Sequence, residues 1–508
     1  MFSECSQYSF NTLNRASARW VFVNRICLFA CFCLVLSSLV GCKPEPDTGT
    51  QAVEEEVAIP DPLTVLVIGD APLGQRISRQ WSARRDGELT IVDQSISEFA
   101  SGDYEIGEDV DVILYPPAMM GELVGRDRLQ MLRKELLNSD QFNRVELLRH
   151  FRISVIRHRS DSWAVPLGGP NFTLLCNRPL FEAKKLNPPA TWEELDRILV
   201  KIDKWNKAGE TKLAARVDVP LASGWAAQSF LARVAPAICS RGKISSVFDR
   251  RTMNPLIAEP VFVEALAHLM SISSAKSLEL DPGGVFELAN SGHSAFAMSW
   301  PSRGFAMASD ETPIPEAVEG ESESVSDERL MIGSVPGTME WFDLQSGSWV
   351  KRGPEGEFQA ELIGFSGLVA SVTSGSPNDR TAWDFLEWLP SKKISLLTLV
   401  ESPRLGPFRA SHLGDASRWT GDAISVDVAD EFADAVAANH DRSLTLMFPR
   451  IPGYDRYLVV LDNAVRAAVS GEQSPEEALQ SAAKKWDEIT DSIGRQAQIR
   501  DLRKESGL

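Results

Sequence analysis

Trp163-Ala164-Val165-Pro166-Leu167-Gly168-Gly169-Pro170-Asn171-Phe172-Thr173-Leu174-Leu175-Cys176-Asn177 is followed eleven residues later by Pro188-Pro189-Ala190-Thr191-Trp192-Glu193-Glu194-Leu195. The apolar run Ala164 to Leu167 is broken by Gly168, Gly169 and Pro170, which suit a place needing unusual backbone angles or close approach of a ligand. The same three residues are also common punctuation of an ordinary surface turn. Pro188 and Pro189 stop a helix entering from Phe181 and Leu186. Thr191 with Glu194 three residues on forms a capping box: the hydroxyl accepts from a free helix N–H and the carboxylate reaches back to the cap. A new helix is therefore expected from Trp192.

Upstream, Leu63 to Ile68 reads as a buried strand, Gly69 to Pro72 as a turn, and Leu73, Ile77 and Trp81 as one helical stripe. Leu89 to Val92 and Val110 to Tyr115 supply two further strands, the latter ending at Pro116-Pro117. Strands alternating with helices imply an α/β fold with a parallel sheet covered on both faces. Ligands on such sheets sit beyond the carboxyl ends of the strands, here Gly69 to Ala71 and Tyr115 to Ala118. Asp70 and Tyr115 thereby become candidate site residues.

Downstream, Val219 to Trp225 reads as a loop, and helices are expected around Phe230 and over Phe262 to Met270. Gly292-His293-Ser294-Ala295-Phe296-Ala297-Met298-Ser299-Trp300-Pro301 forms another apolar run. Residues 310 to 328 hold eight acids and suit a flexible insertion. Ser474-Pro475-Glu476-Glu477 is a helix cap with proline at the first helical position, and Ala478, Leu479, Ala482, Ala483, Trp486 and Ile489 are expected to form the buried face behind it.

Taken in order from Leu63 to Leu508, with the acidic insertion left out, these pieces resemble the bacterial extracellular solute-binding proteins of the sugar-type ABC importers, in lipoprotein form. The resemblance implies a two-lobe periplasmic-binding-protein-like fold of class II, with parallel or mixed sheets, helices on both faces and hinge strands crossing between lobes. Trp163 to Asn177 would be one crossing, Gly292 to Pro301 a return strand, and Ser402-Pro403-Arg404-Leu405-Gly406-Pro407-Phe408-Arg409 a loop returning to the cleft. It divides the chain into lobe one at 62–173 plus 300–364 and lobe two at 174–299 plus 365–508, with the acidic insertion at 310–329. Cys176 departs from the tyrosine more often found before the matching asparagine, and the acidic insertion is not a family feature. Those departures keep open a sensor or assembly lipoprotein of the same fold.

The 508 residues carry a formal charge of −18, and the first 41 contribute a net +2. An acidic body repels nucleic acid and anionic lipid and favours a neutral or cationic ligand. Arg15, Arg19 and Arg25 precede fifteen uncharged residues, Ile26 to Val40, the length of a signal-peptide core rather than a spanning helix. Leu39-Val40-Gly41-Cys42 resembles the lipobox, which implies a leader at 1–41, diacylation of Cys42 and a solvated acidic tether at 42–61. An uncleaved membrane anchor would equally place the body outside the cytoplasm. Of seven cysteines only Cys176 and Cys239 belong to the exported body, as a disulfide or as buried thiols.

Neither an HExxH, a phosphate-binding Gly-x-x-x-x-Gly-Lys loop nor a Gly-x-Ser-x-Gly elbow occurs, and the six histidines are scattered. No cofactor, metal or catalytic residue is expected. Thirteen tryptophans against five tyrosines suit a sugar site, which needs flat apolar plates and in-plane polar groups. Trp225, Trp300 and Trp341 stand beside glycine or proline or at strand ends and are the candidate plates; each could equally be core. Asp70, Tyr115, Asn171, Phe172, Arg404 and Arg409 are the remaining candidates, the arginines as a fork for hydroxyls or a carboxylate. The expectation is a monomeric, lipid-anchored receptor on the periplasmic side that closes on a solute, most simply a sugar or oligosaccharide, and meets ABC permease subunits. An envelope carbohydrate hydrolase using two carboxylates is the rival from another class.

Overall fold

The computed structural model describes residues 61–84, 87–243, 246–302, 305, 329–353, 356–400 and 402–507. The expected leader, Cys42, all but the last residue of the tether, and residues 310–328 of the acidic insertion lie outside the described residues. In chain order the strands are β1 (Leu63–Ile68), β2 (Leu89–Gln94), β3 (Val112–Tyr115), β4 (Arg157–His158), β5 (Asp161–Ser162), β6 (Val165–Gly168), β7 (Thr173–Asn177) and β8 (Ala215–Asp218). They continue as β9 (Ser294–Ser299), β10 (Leu330–Ser334), β11 (Glu340–Asp343), β12 (Ser348–Lys351), β13 (Glu361–Ile363), β14 (Leu368–Val372) and β15 (Thr445–Met447).

Two sheets organise the chain. The first has the order β2-β1-β3-β14-β6, with β1 parallel to β2 and β3, and β14 antiparallel to β3 and β6. The second has the order β10-β7-β9-β8, antiparallel except for the parallel pair β8 and β9. Helices lie on the first sheet as the stripe at Leu73, Ile77 and Trp81 requires: all three are buried on the helix Ala71–Ser82, and Trp81 meets Phe385 and Trp388 edge-on at 5.1 Å each. The described residues from 61 onward belong to one compact unit, and their buried apolar side chains form one continuous core.

Strand membership differs from the expected division. Leu330–Ser334 pairs with Thr173–Asn177 and so completes the second sheet, whereas the resemblance places 300–364 in lobe one. Leu368–Val372 lies inside the first sheet between β3 and β6, whereas the resemblance places 365 onward in lobe two. A short apolar run identifies a buried strand but carries no information about which sheet takes it up.

The helix Trp192–Lys207 buries Trp192, Leu195, Ile198, Leu199 and Ile202 on one stripe. Thr191 caps it, its hydroxyl accepting from Glu194 N at 3.2 Å, but the expected reciprocal bond is displaced by one residue. Glu194 accepts from Ala190 N at 2.8 Å. The segment at Gly337 docks on this turn, donating to Ala190 O at 2.8 Å and accepting from Trp192 N at 3.1 Å. The box at Ser474 and Glu477 is complete.

The chain passes between sheets at Gly169–Phe172, from β6 to β7, while Gly364–Gly367 leads from the two-stranded ribbon β13/β15 into β14. Here three backbone segments touch without side chains. A Cβ on Gly168, at φ +122°, would run into the carbonyl oxygen of Gly406, and one on Gly367, at φ +96°, into that of Gly168. Glycine is demanded here by both space and backbone angle.

Candidate functional site

A cleft of about 340 Å³ opens beside the crossing Gly364–Gly367. Pro116 and Ala118, just past β3, and Arg404 line it from the side of the first sheet. Gly364, Phe365, Ser366 and Gly367 form its floor. The opposite wall is Ser223, Gly224, Trp225 and Gln228 at the start of the helix Ala226–Ile238, with Tyr454, Asp455, Leu458 and Asp462 on the helix Tyr454–Val469. A larger groove of about 660 Å³ between the helices Tyr454–Val469 and Pro475–Ile493 is walled chiefly by that helix pair, whereas the cleft gathers the loop after β3, the crossing Gly364–Gly367, Arg404 and the starts of two helices.

The aromatic residues are layered. Trp225 lies at the cleft surface, with its ring 5.8 Å from Trp300 and 6.5 Å from Phe365. Trp300 and Phe172 are buried behind them; Phe172 stacks on Phe365 at 4.7 Å with an interplanar angle of 3°, and meets Trp300 edge-on. Trp300 Nε1 donates to Pro403 O at 3.3 Å, which fixes the loop carrying Arg404. Trp225 is thus a plate on a rigid aromatic backing.

The charged groups are also positioned by the fold. Asp462 reaches from one helix to the N-terminus of another, accepting from Gly224 N at 3.1 Å and Ala227 N at 3.0 Å. Burial pushes its carboxyl above the usual range, against the pull of those N–H groups. Arg404 Nη1 donates to Gly69 O at 2.9 Å; burial lowers its affinity for a proton while nearby Asp70 opposes the effect. Asp455 stands two helical turns before Asp462 on the same wall, about 10 Å along the axis.

The candidates from the sequence divide accordingly. Trp225 and Arg404 line the cleft, and Phe172 and Trp300 back it. Asp70 does not line it: it caps the helix Ala71–Ser82, accepting from Leu73 N at 3.3 Å and from the Ser402 hydroxyl. Tyr115 is fully buried in the central strand β3 and shares a 2.9 Å hydrogen bond with Ser371. Asn171 is buried at the crossing and donates to Glu361 Oε1 at 3.0 Å. Trp341 lies on the β11/β12 hairpin under the Lys243 ammonium, away from the cleft. Arg409 is buried at 0% exposure, donating to Pro390 O at 2.8 Å and Phe142 O at 2.6 Å, with Glu146 3.6 Å away. It is not half of a ligand fork, because backbone carbonyls inside the fold have taken its donors.

Phe365, Gln228, Tyr454, Asp455 and Asp462 escaped the sequence reading. Phe365 between Gly364 and Gly367, and Tyr454 after Gly453, carry the same aromatic-beside-glycine signal that singled out Trp225. Cys176 and Cys239 are both buried and are not joined in a disulfide, and the Cys239 thiol donates to Thr445 O at 3.4 Å. Among the described residues no group of three or more His, Cys, Asp or Glu side chains could hold a metal ion, and no helix is long and apolar enough to cross a membrane.

No family model matches the sequence. Solved structures do resemble the fold. An ABC transporter solute-binding protein from Agrobacterium radiobacter K84, in complex with ribitol, superposes with a TM-score of 0.61 at 18% identity, covering 84% of this chain and 98% of that one. Maltose-bound MalE3 of T. maritima gives 0.58 at 18% identity, covering 84% and 99%. The sugar-binding protein MalE from Xanthomonas citri gives 0.59 at 15% identity, covering 85% and 98%. The chain has the two-lobed fold of these proteins.

Proposed function

We propose that the chain is an extracytoplasmic solute-binding protein that holds a small solute, a sugar, polyol or short oligosaccharide, between its two halves and presents the closed form to the permease of an ABC importer. The observation that carries this reading is Trp225, a plate at the surface of a cleft that includes the loop after β3, the crossing Gly364–Gly367 and two helix starts, backed by Phe365, Trp300 and Phe172. A flat apolar face with Gln228, Ser366 and Arg404 around it meets the needs of a sugar ring, whose C–H face is apolar and whose edge is hydroxylated. The fold is shared with proteins solved with ribitol and maltose. Ligand touching both walls favours the closed arrangement, and the population shift is the signal an importer reads.

The same reading takes residues 1–41 as a leader, Cys42 as the lipid anchor and 42–61 as the tether. Lobe one then contains β1 to β3, β6 and β14, and lobe two β7 to β10. A hydrolase finds less support, because Asp455 and Asp462 stand on one wall rather than facing each other across about 5 to 10 Å, and Asp462 is already bound by two backbone N–H groups.

Calorimetry of the full-length protein against pentitols, hexitols, mono- and disaccharides, amino acids and polyamines tests the proposal. A sugar or polyol should bind, Trp225→Ala should weaken it by about tenfold or more, and Trp341→Ala should leave it unchanged. A folded protein that binds nothing across the panel would refute the reading.

A further inference from the structure

The start of the helix Ala226–Ile238 lines the cleft, and a helix N-terminus, with its N–H groups and dipole, ordinarily favours an anion. Trp225 at the cap position supplies no side-chain acceptor. The acceptor comes instead from Asp462 on the neighbouring helix, whose two oxygens take Gly224 N at 3.1 Å and Ala227 N at 3.0 Å. One turn further in, Gln228 is 8% exposed, lines the cleft, and its Oε1 has no hydrogen-bond partner. A buried amide oxygen without a donor is costly, so this atom is suited to meet a donor brought by the ligand.

The charge balance points the same way. Among the described residues the cleft is lined by one cation, Arg404, which is directed to Gly69 O and offset by Asp70, and by two carboxylates, Asp455 and Asp462, the latter with Arg466 near it.

We infer that Asp462 is a built-in anion that fills the helix N-terminus and makes the cleft reject carboxylated ligands, while the buried, unpartnered Gln228 amide is the polar group that reads a ligand hydroxyl. The inference deepens the solute-binding reading and rests on it: the solute is uncharged and hydroxylated, and sugar acids are excluded. Asp462 acts as a positioning and selectivity residue, and Gln228 as a contact residue.

Matched pairs differing by one oxidised carbon test it: sorbitol with gluconate, glucose with glucuronate, and maltose with maltobionate, titrated into the full-length protein. At least one neutral member should bind, and its acid should bind at least about tenfold more weakly. Asp462→Asn should narrow that ratio by about tenfold, and sodium gluconate should raise its melting temperature while leaving the unmutated protein unmoved. Gln228→Leu should weaken the neutral ligand by about tenfold without changing the acid-to-neutral ratio. The wild-type comparison needs no variant to fold. Equal binding of acid and neutral partners, or an Asp462→Asn ratio that does not move, overturns the inference while sugar binding stands. A wild-type protein that binds neither series overturns the solute-binding reading itself.

Discussion

Glu361 is 2% exposed beside the crossing, with Oε1 accepting from Asn171 and Oε2 3.5 Å from Arg442 Nη1. Burial outweighs Arg442 and the Asn171 bond, and the carboxyl is pushed up to about 7 from an ordinary 4.5. Between those values the folded chain keeps a proton that the unfolded chain has released, so stability is full below pH 4.5 and is lost as pH rises through 7. The contribution is on the order of 3 kcal/mol. Urea unfolding at pH 5 and pH 8 should show the wild type losing stability relative to Glu361→Gln; parallel behaviour would mean that Glu361 does not titrate in this range. Glu361 was invisible as a site from sequence because nothing local marks a carboxylate for burial. Arg404 and Arg409, five residues apart, make the same point: one lines the cleft and the other is locked in the interior, a difference set by which distant carbonyls come near.

Elements were most legible where their signals are local. The Thr191 cap depends on a hydroxyl and an N–H three residues apart, and Thr191→Ala should cost about 1 kcal/mol, read as a lower melting temperature with sugar affinity retained. An unchanged melting temperature would mean that docking of the Gly337 segment alone holds this helix start. The shift of the Glu194 bond to Ala190 N and the docking of Gly337 on the same turn have no local signal, since Gly337 lies nearly 150 residues away in the chain. The strands Leu330–Ser334 and Leu368–Val372 carry no local mark of the sheet that takes them up, since strand pairing is decided by backbone groups that every sequence shares.

At the scale of the molecule, the two sheets are joined at a place where Gly168, Gly169, Gly367 and Gly406 let three segments meet backbone to backbone. Gly367→Ala must accept both a positive φ and an overlap with Gly168 O, and should destabilise by at least about 2 kcal/mol. Gly375→Ala, where a Cβ meets nothing within 4 Å, is the matched control and should leave the melting temperature nearly unchanged. Thermal denaturation of the two variants checks this; equal effects would show that the crossing yields to a side chain. The same junction places Phe365 under Trp225, so damage there should reach the cleft before it reaches the outer helices.

Local order in the chain determined the α/β class, the helix starts at Thr191 and Ser474, the stripe on Leu73, Ile77 and Trp81, and the glycine break at 168–169, because caps, periodicity and backbone angles depend on residues a few positions apart. The tertiary structure decided which sheet received each returning strand, which arginine faced the cleft, and that Asp462 would fill a helix end more than 230 residues earlier in the chain. Those outcomes depend on distances between segments remote in sequence, and no spacing within a segment encodes them.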